Sequence, residues 1–473
     1  MTSDANVLAQ AAAAAQAFLA SLPDRHVGAR ATLAELRAAL GGLLPEAGAA
    51  PTQVIADLVR HVDAGLIAMP GPRYFGFVIG GSYPVAVAAD WLTSAWDQNA
   101  GLYAVSPAAA VVEDVAAGWL RALFGLPATA GVGFVTGGQM ATFTCLAAAR
   151  HAVLRRAGWD VEQDGLCGAA PITVVVGAEA HATIFAALRY LGLGAGRVRT
   201  VAADGQGRMR SDALRATLAT CNGPTIVCAQ AGNVNTGAFD PFPEIAPLTQ
   251  RRGAWLHVDG AFGLWAAASP ALRHLVAGVE RADSWATDAH KWLNVPYDAG
   301  LAIVADASAH RAAMSVTAAY LIPGSSDQRD PLDWTPEFSR RARGFPIYAT
   351  LRALGRQGVA ELIERCCARA RRMAERLAAA PRVTVLNDVV LNQVLVRFQP
   401  PLDGDADAFT RAVVERVQRD GTCWLSGTTW QGKGAMRISV CNWSTNRGRR
   451  RPLGRCHPPS GGSDLLASAL RWG

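Results

Sequence analysis

The chain has 473 residues, of which 51% are hydrophobic and 18% are charged. This balance excludes an intrinsically disordered protein, and the length predicts more than one domain. The net charge is +7, but six Arg and one Asp in residues 447–473 contribute +5 of it, which leaves +2 for the rest. A body so close to neutral lacks the basic surface typical of nucleic-acid binding, so no nucleic-acid partner is expected.

Targeting and metal-binding signals are also missing from the sequence. No apolar run reaches the ~20 residues that a membrane-spanning helix requires, and the Ala-rich N terminus lacks the basic start of a secretory signal. The nine cysteines form no CxxC pair and no cluster with zinc-site spacing. These features predict a cytoplasmic, soluble protein with reduced thiols, no membrane partner and no metal site.

Helices and strands are predicted to alternate through the first two thirds of the chain. Helical spacing is found over 33–44, 53–67, 111–124, 141–150 and 181–191, and short apolar runs typical of strands over 133–136, 172–176, 198–201, 225–229 and 255–258. This alternation indicates an α/β sheet of mostly parallel strands. After Gly344, helices are predicted over 347–354 and 359–379 and strands over 383–386, 393–398 and 436–440, which indicates an α+β C-terminal domain.

Lysine is unusually scarce in this chain. Of 45 basic residues, only Lys291 and Lys433 are lysines. A lysine retained where Arg is otherwise used is a candidate for amine chemistry that a guanidinium cannot perform. Lys291 follows a predicted strand, stands beside His290 and precedes the apolar Trp292, a setting typical of a lysine that forms a Schiff base. The alternative interpretation is a surface lysine.

Three further features suit the same chemistry. Asp259 ends an apolar strand, where a carboxylate can hold a pyridinium nitrogen protonated or can cap a helix. The turn 136–140 joins a strand to an Ala-rich helix whose N terminus can bind a phosphate. His181 opens a helix after a buried strand, where an imidazole can stack on a flat ring or act as a cap. The 32 residues from Asp259 to Lys291 fit one crossover between neighbouring strands.

In the order of these features the chain resembles the group II pyridoxal-5′-phosphate-dependent decarboxylases, relatives of the aromatic-L-amino-acid and glutamate decarboxylases. The resemblance extends from about residue 70 to about residue 446, and its most specific motifs are HVDGAFG (257–263) and TDAHKW (287–292). It implies an α/β protein of fold type I, with a large domain built on a mostly parallel sheet and a small α+β C-terminal domain. We therefore predict an N-terminal helical segment (1–80), a large cofactor-binding α/β domain (81–344), a small C-terminal domain (345–446) and an atypical basic tail (447–473).

The resemblance also implies roles for individual residues. Lys291 would bind pyridoxal 5′-phosphate as a Schiff base, Asp259 would pair with the pyridine nitrogen, and His181 would stack on the ring. Either Tyr320 or His181 would return a proton to the α-carbon. Cofactor contacts are implied for Gly137, Gly138, Gln139, His181, Asn233, Asp259, Ala261, Asp288, His290 and Lys291. Substrate contacts are implied for Phe77, Val78 and Ile79, and for Asn99 and Tyr103 of a partner subunit.

The sequence departs from this family in three places. Asp288 stands where decarboxylases often have Asn, a feature shared with sphingosine-1-phosphate lyase. Pro331 stands where aromatic-amino-acid decarboxylases keep a catalytic Tyr in a loop. From Arg447 onward the chain is basic and Pro-rich, where the family usually continues as an acidic amphipathic helix.

The expected activity is decarboxylation of an L-amino acid to its amine and carbon dioxide by a homodimer with shared active sites. Two alternatives stay open at this point. Asp288 and the missing loop Tyr favour another pyridoxal-phosphate activity, such as that of a carbon–carbon lyase, aldehyde synthase or aminotransferase. The second alternative is a non-catalytic binding protein, but the intact Lys, Asp and His argue against it. Asn99 predicts a pocket for a polar or medium-sized substrate side chain, unless it serves only the dimer interface.

Overall fold

The computed structural model describes residues 2–316 and 328–445. The chain divides into two compact units. One contains the N-terminal part up to Gly81, Glu375–Val385 and the chain from Val396 onward, and the other contains Ser82–Ala374 and Leu386–Leu395. The four segments drawn from the sequence stay a prediction.

The α-helices of the described residues are numbered in chain order: α1 (Thr2–Ser21), α2 (Leu33–Leu40), α3 (Pro51–Val62), α4 (Pro84–Trp96), α5 (Pro107–Phe124), α6 (Gly138–Arg156), α7 (Val161–Asp164), α8 (Ala182–Tyr190), α9 (Ser211–Ala219), α10 (Phe242–Arg252), α11 (Ala289–Trp292), α12 (Ala307–Met314), α13 (Gly344–Ala378, interrupted by a kink at Gly355) and α14 (Ala406–Asp420). Proline opens α3, α4 and α5, where its missing N–H costs no hydrogen bond. Gly125, Gly253 and Gly421 end α5, α10 and α14 with left-handed backbone, which explains why glycine stands at these ends.

The strands are β1 (Gly131–Val135), β2 (Thr173–Gly177), β3 (Arg199–Val201), β4 (Thr225–Gln230), β5 (Trp255–Asp259), β6 (Ser284–Asp288), β7 (Gly300–Val304), β8 (Val383–Val385), β9 (Gln393–Phe398), β10 (Ser426–Trp430) and β11 (Lys433–Ser439). Seven of them form one sheet in the order β1-β7-β6-β5-β4-β2-β3, and the last four form a smaller sheet in the order β10-β11-β9-β8. In the large sheet, β7 runs antiparallel to the other six strands. The prediction of a mostly parallel sheet in an α/β fold is confirmed.

The core of the large sheet contains mainly small and branched side chains, together with Trp255. Strands β1, β4, β5, β6 and β7 are buried along their whole length. Helix α6 contributes Ala141, Cys145 and Ala149 to the hydrophobic core that also contains Val176 and Ile226 of the sheet. Strands covered on both faces need apolar runs, which explains why β2, β4 and β5 could be predicted from the sequence.

A buried histidine joins two strands directly beneath the carboxyl edge of the sheet. The Nδ1 atom of His257 on β5 lies 3.0 Å from Oγ of Ser284 on β6. Trp255 donates its indole N–H to the same hydroxyl at 2.9 Å. Burial lowers the pKa of His257 to about 3, so the imidazole is neutral at physiological pH.

This histidine predicts a loss of stability in acid. An unfolded histidine has a pKa near 6.5, so protonation favours the unfolded chain as the pH falls below about 6.5 and should cost about 2 kcal/mol at pH 5. The free energy of unfolding would be measured with urea at pH 7 and at pH 5. The decrease between the two pH values should be about 2 kcal/mol smaller in His257→Asn than in the wild type. His274→Asn, at an exposed position, is the matched control. A pH dependence in His257→Asn equal to that of the wild type would contradict the prediction.

Candidate active site

Three polar side chains meet where the central strands end. Gln230, Asp259 and Asp288 are the last residues of β4, β5 and β6, which run parallel side by side. The register pairs Gln230 with Asp259, and Asp259 with Ala286. All three side chains are buried. The carboxyl edge of a parallel sheet is the usual ligand site of α/β proteins, so these residues mark the candidate site.

Lys291 points its amine into this edge of the sheet. The single turn α11 follows β6 directly and brings the Nζ atom of Lys291 to 2.9 Å from Oδ2 of Asp288. The Lys291 side chain is 22% exposed and that of Asp288 only 2%. A mostly buried lysine that is ion-paired at a sheet edge does not fit the alternative of a surface lysine.

The start of helix α6 lies against the same carboxylate. The Gly138 N–H donates to Oδ1 of Asp288 at 2.5 Å. The preceding residue, Gly137, has no side chain that could cap the helix. A Cβ atom on Gly138 would lie 2.7 Å from Oδ2 of Asp288, and one on Gly137 would lie 3.0 Å from Cε1 of His290. Glycine is required here because the carboxylate and the imidazole approach the backbone so closely.

His290 is held as a neutral imidazole with its proton on Nε2. Its Nδ1 atom accepts a hydrogen bond from the Ala299 N–H at 3.1 Å, and its Nε2 atom lies 3.3 Å from Oδ1 of Asp288. Burial lowers the pKa of His290, although the nearby Asp288 carboxylate opposes this effect. The Nε2–H therefore faces Asp288, and the ring of Tyr297 lies with its centroid 4.3 Å from that of His290.

Asp259 is a buried carboxylate held by its own turn. Its Oδ1 atom accepts a hydrogen bond from the Ala261 N–H at 3.2 Å. Burial, and after it the negative charge of Asp259, raises the pKa of the neighbouring Cys228 thiol. Ala261 itself is half-buried. A carboxylate in such surroundings interacts strongly with a cation placed at the sheet edge.

The other predicted cofactor ligands have local partners. The Nδ1 atom of His181, the residue before α8, accepts from the Thr183 N–H at 3.4 Å, so the ring acts as a helix cap. Asn233 is 1% exposed; its Oδ1 accepts from two backbone N–H groups of its own loop, and its Nδ2 donates to Oε1 of Gln230 at 3.1 Å. Gln139 is exposed in the first turn of α6. Their roles toward a cofactor stay predictions.

The first group of predicted substrate contacts lies in the unit that contains the N terminus. Phe77 has a left-handed backbone (φ 49°), is 53% exposed and stacks on Trp424 with ring centroids 5.8 Å apart. Val78 is buried, and Ile79 packs against a hydrophobic cluster that includes Leu22. The exposed ring of Phe77 is the member of this group that is accessible to a ligand.

The second group of predicted substrate contacts lies in the other unit. The Asn99 amide donates to Oγ of Ser339 at 3.2 Å and accepts from the Arg340 N–H at 3.3 Å. The Tyr103 N–H donates to Asp330 at 2.8 Å. The polar group of Asn99 is thus engaged with the segment before α13, and the interpretation of Asn99 as a pocket wall stays a prediction. Tyr320 and the basic tail lie outside the described residues.

Sequence reasoning missed Gln230 and Glu179. The side chain of Gln230 donates to the backbone oxygen of Glu179 at 3.2 Å, and both residues line a small cavity with Asp259 and Asp240. Burial raises the pKa of Asp240 to about 6. The signal was available for Gln230, because it ends an apolar strand as Asp259 does. Across 2–316 and 328–445, no group of three or more His, Cys, Asp or Glu side chains is placed to hold a metal ion.

A family comparison decides what this site belongs to. The model described as "Pyridoxal-dependent decarboxylase conserved domain" matches residues 35–399. The chain belongs to the pyridoxal-dependent decarboxylase family. It is a carboxy-lyase that uses pyridoxal 5′-phosphate to decarboxylate an amino acid, which confirms the family, cofactor and reaction expected from the sequence motifs.

Known decarboxylases resemble this one over most of their length. The chain is 29% identical to tryptophan decarboxylase 1 of Oryza sativa subsp. japonica, over 86% of this chain and 82% of that protein. It is 30% identical to the L-2,4-diaminobutyrate decarboxylase of Rhizobium meliloti (strain 1021), over 84% of this chain and 80% of that protein. The crystal structure of Oryza sativa TDC with PLP and tryptamine superposes with a TM-score of 0.87 at 25% identity, covering 93% of this chain and 94% of that one. In the part of the decarboxylase that the structure describes, no helix is long and apolar enough to cross a membrane.

The residues at the sheet edge fit pyridoxal phosphate. The first turn of α6 already holds an anion, since the Asp288 carboxylate accepts the Gly138 N–H. A phosphate has the same charge sign and acceptor chemistry. The amine of Lys291 suits an aldehyde, and the buried Asp259 suits a protonated ring nitrogen.

Gly138→Ala should weaken cofactor binding by the decarboxylase by about 5- to 150-fold. The new Cβ would lie 2.7 Å from Oδ2 of Asp288, an oxygen that pairs with Lys291 at 2.9 Å, so the helix start must move, and overpacking of this kind costs about 1–3 kcal/mol. The dissociation constant of pyridoxal phosphate from the apoenzyme, followed by tryptophan fluorescence, measures the effect. Gly118→Ala is the control, because its Cβ would meet only Nη2 of Arg121 at 3.8 Å. Equal affinities in Gly138→Ala and the wild type would refute this account of the turn.

Proposed function

We propose that Lys291, Asp259 and the first turn of α6 hold pyridoxal 5′-phosphate in this enzyme. The observation that carries the proposal is the meeting of an amine, a helix N terminus and buried carboxylates at one edge of the sheet. Lys291 would hold the cofactor through its amine, Asp259 would face the ring nitrogen, and the backbone N–H groups of α6 would bind the phosphate.

Each of these residues has a defined task in decarboxylation. The bound cofactor supplies an electron sink for the pair released when the substrate carboxylate leaves. Asp259 keeps a proton on the ring nitrogen, and its burial strengthens that interaction because the surrounding dielectric is low. Asp288 orients the Lys291 amine by its ion pair at 2.9 Å. These groups act without regard to the substrate side chain.

His181 is proposed to stack on the cofactor ring and to return a proton to the α-carbon. Its Nδ1 atom lies 2.8 Å from Oγ1 of Thr183 and 3.4 Å from the Thr183 backbone nitrogen, contacts in which Nδ1 accepts when the ring proton is on Nε2. That Nε2–H is the group that would donate. Tyr320, the other candidate proton donor, lies outside the described residues.

We also infer a cytoplasmic homodimer with shared active sites. The family resemblance supports the dimer, in which Asn99 and Tyr103 would reach the partner subunit's substrate. The cytoplasmic location is supported by the buried, reduced thiols of Cys145, Cys221 and Cys228, since a reducing compartment preserves such thiols. Light scattering of the purified holoenzyme at about twice the 49.6 kDa chain mass would support the dimer.

A substrate screen tests the reaction and identifies the amino acid. The holoenzyme would be incubated with each common L-amino acid and with L-2,4-diaminobutyrate, and carbon dioxide and the organic product would be measured together. We expect carbon dioxide and the matching amine from a substrate with a polar or medium-sized side chain. An aldehyde with ammonia in place of the amine would assign aldehyde synthase chemistry instead, and absence of carbon dioxide from every substrate would reject the decarboxylase.

The two lysines of the chain form a matched pair for testing the attachment site. Lys291→Arg should abolish turnover and the visible absorbance of the bound cofactor, because a guanidinium does not lose its proton at working pH. Lys433→Arg, at an exposed position on β11, should leave both unchanged. Retention of turnover and absorbance by Lys291→Arg would disprove the assignment.

A further inference from the structure

The Asp288 carboxylate contacts three groups of the site. Oδ1 accepts from the Gly138 N–H at 2.5 Å and lies 3.3 Å from Nε2 of His290, while Oδ2 lies 2.9 Å from Nζ of Lys291. The residue is 1% exposed, and its backbone oxygen accepts from Nε1 of Trp265 at 3.0 Å. Both the side chain and the backbone of Asp288 are therefore fixed.

The position that Asp288 occupies is one that favours an anion. Helix α6 has 19 residues, and its positive end begins at Gly138. The carboxylate at that end is supplied by β6, from 150 positions further along the chain. The chain thus fills its own anion site with a fixed negative charge.

We propose that Asp288 competes with the cofactor phosphate for the start of α6 and so weakens cofactor binding. This inference rests on the proposed function, in which the same helix turn holds that phosphate. A phosphate brought to this turn meets a buried carboxylate of like charge, and their repulsion is strong where water is excluded.

The competition should be visible as a difference between two non-covalent ligands. Pyridoxamine 5′-phosphate and pyridoxamine differ only in the phosphate, and neither carries the aldehyde that reacts with Lys291. Asp288→Asn keeps the size and an acceptor for Gly138 but removes the charge. We expect the dissociation constant of pyridoxamine 5′-phosphate from the apoenzyme, measured by calorimetry, to fall at least tenfold in Asp288→Asn. This tenfold change corresponds to about 1.4 kcal/mol of binding free energy. The dissociation constant of pyridoxamine should change less than about twofold, because pyridoxamine has no phosphate.

Control variants separate this effect from general changes in charge or folding. Asp298→Asn removes a nearby carboxylate that pairs with Arg343 at 2.7 Å, and it should change neither dissociation constant more than about twofold. Circular dichroism checks the fold of each variant. If Asp288→Asn does not fold, Asp288→Ser removes the same charge with a smaller side chain and answers the same question.

The outcomes also separate this inference from the proposed function. If the neutral variants bind pyridoxamine 5′-phosphate no more tightly than the wild type, or tighten pyridoxamine equally, Asp288 does not compete with the phosphate. The proposed function stands in that case as long as the wild type prefers the phosphorylated ligand. A wild type that binds both ligands equally would show that the helix turn does not hold the phosphate, which overturns the proposed function as well.

Discussion

A buried carboxylate must be compensated by hydrogen bonds or positive charge, and Asp288 meets this requirement with groups from separate parts of the chain. The Gly138 N–H comes from α6, while His290 and Lys291 come from the single turn after β6. Satisfying one carboxylate therefore fixes the helix start, the imidazole tautomer and the lysine amine at the same time. Much of the geometry of the site follows from this one constraint.

The sheet topology makes this compensation possible. Strand β7 is inserted antiparallel between β1 and β6, and its first residue, Gly300, pairs with both Val135 and Asp288. The end of β1 is thereby held one strand away from the end of β6. A Cβ on Gly300 would lie 2.5 Å from the backbone of Gly137, so the two segments touch without an intervening side chain. This close approach brings the first turn of α6 within hydrogen-bond distance of Asp288.

Cofactor chemistry and substrate choice are separate properties of this enzyme. The residues proposed to hold the cofactor lie at the ends of strands of the large sheet and at the start of the helix that packs against it. The relatives named for tryptophan and for L-2,4-diaminobutyrate are similar to this chain at nearly the same identity, 29% and 30%. Overall similarity therefore does not select between these amino acids, and the substrate must be determined at the side chains that contact it.

The sequence by itself determined the family, the cofactor and the mostly parallel sheet. The scarcity of lysine singled out Lys291, and the 32-residue interval from Asp259 indicated neighbouring strands, which β5 and β6 are. These signals are local or depend only on spacing along the chain. Strand β7 was not predicted, although its sequence GLAIV is an apolar run like those that predicted β2 and β4. Its antiparallel direction and its two neighbours cannot be determined from such a run.

Only the tertiary structure decided which partners the polar side chains have. The contact between Gly138 and Asp288 spans 150 positions, and the contact between Asn99 and Ser339 spans 240. Hydrophobic periodicity carries no information about such pairs, because it reports the burial of one element and not the element packed against it. The same holds for Asn233, whose amide is engaged with its own loop and with Gln230. The family resemblance implied a ligand role for Asn233, which stays a prediction, and only the folded chain showed the hydrogen bonds that its amide makes.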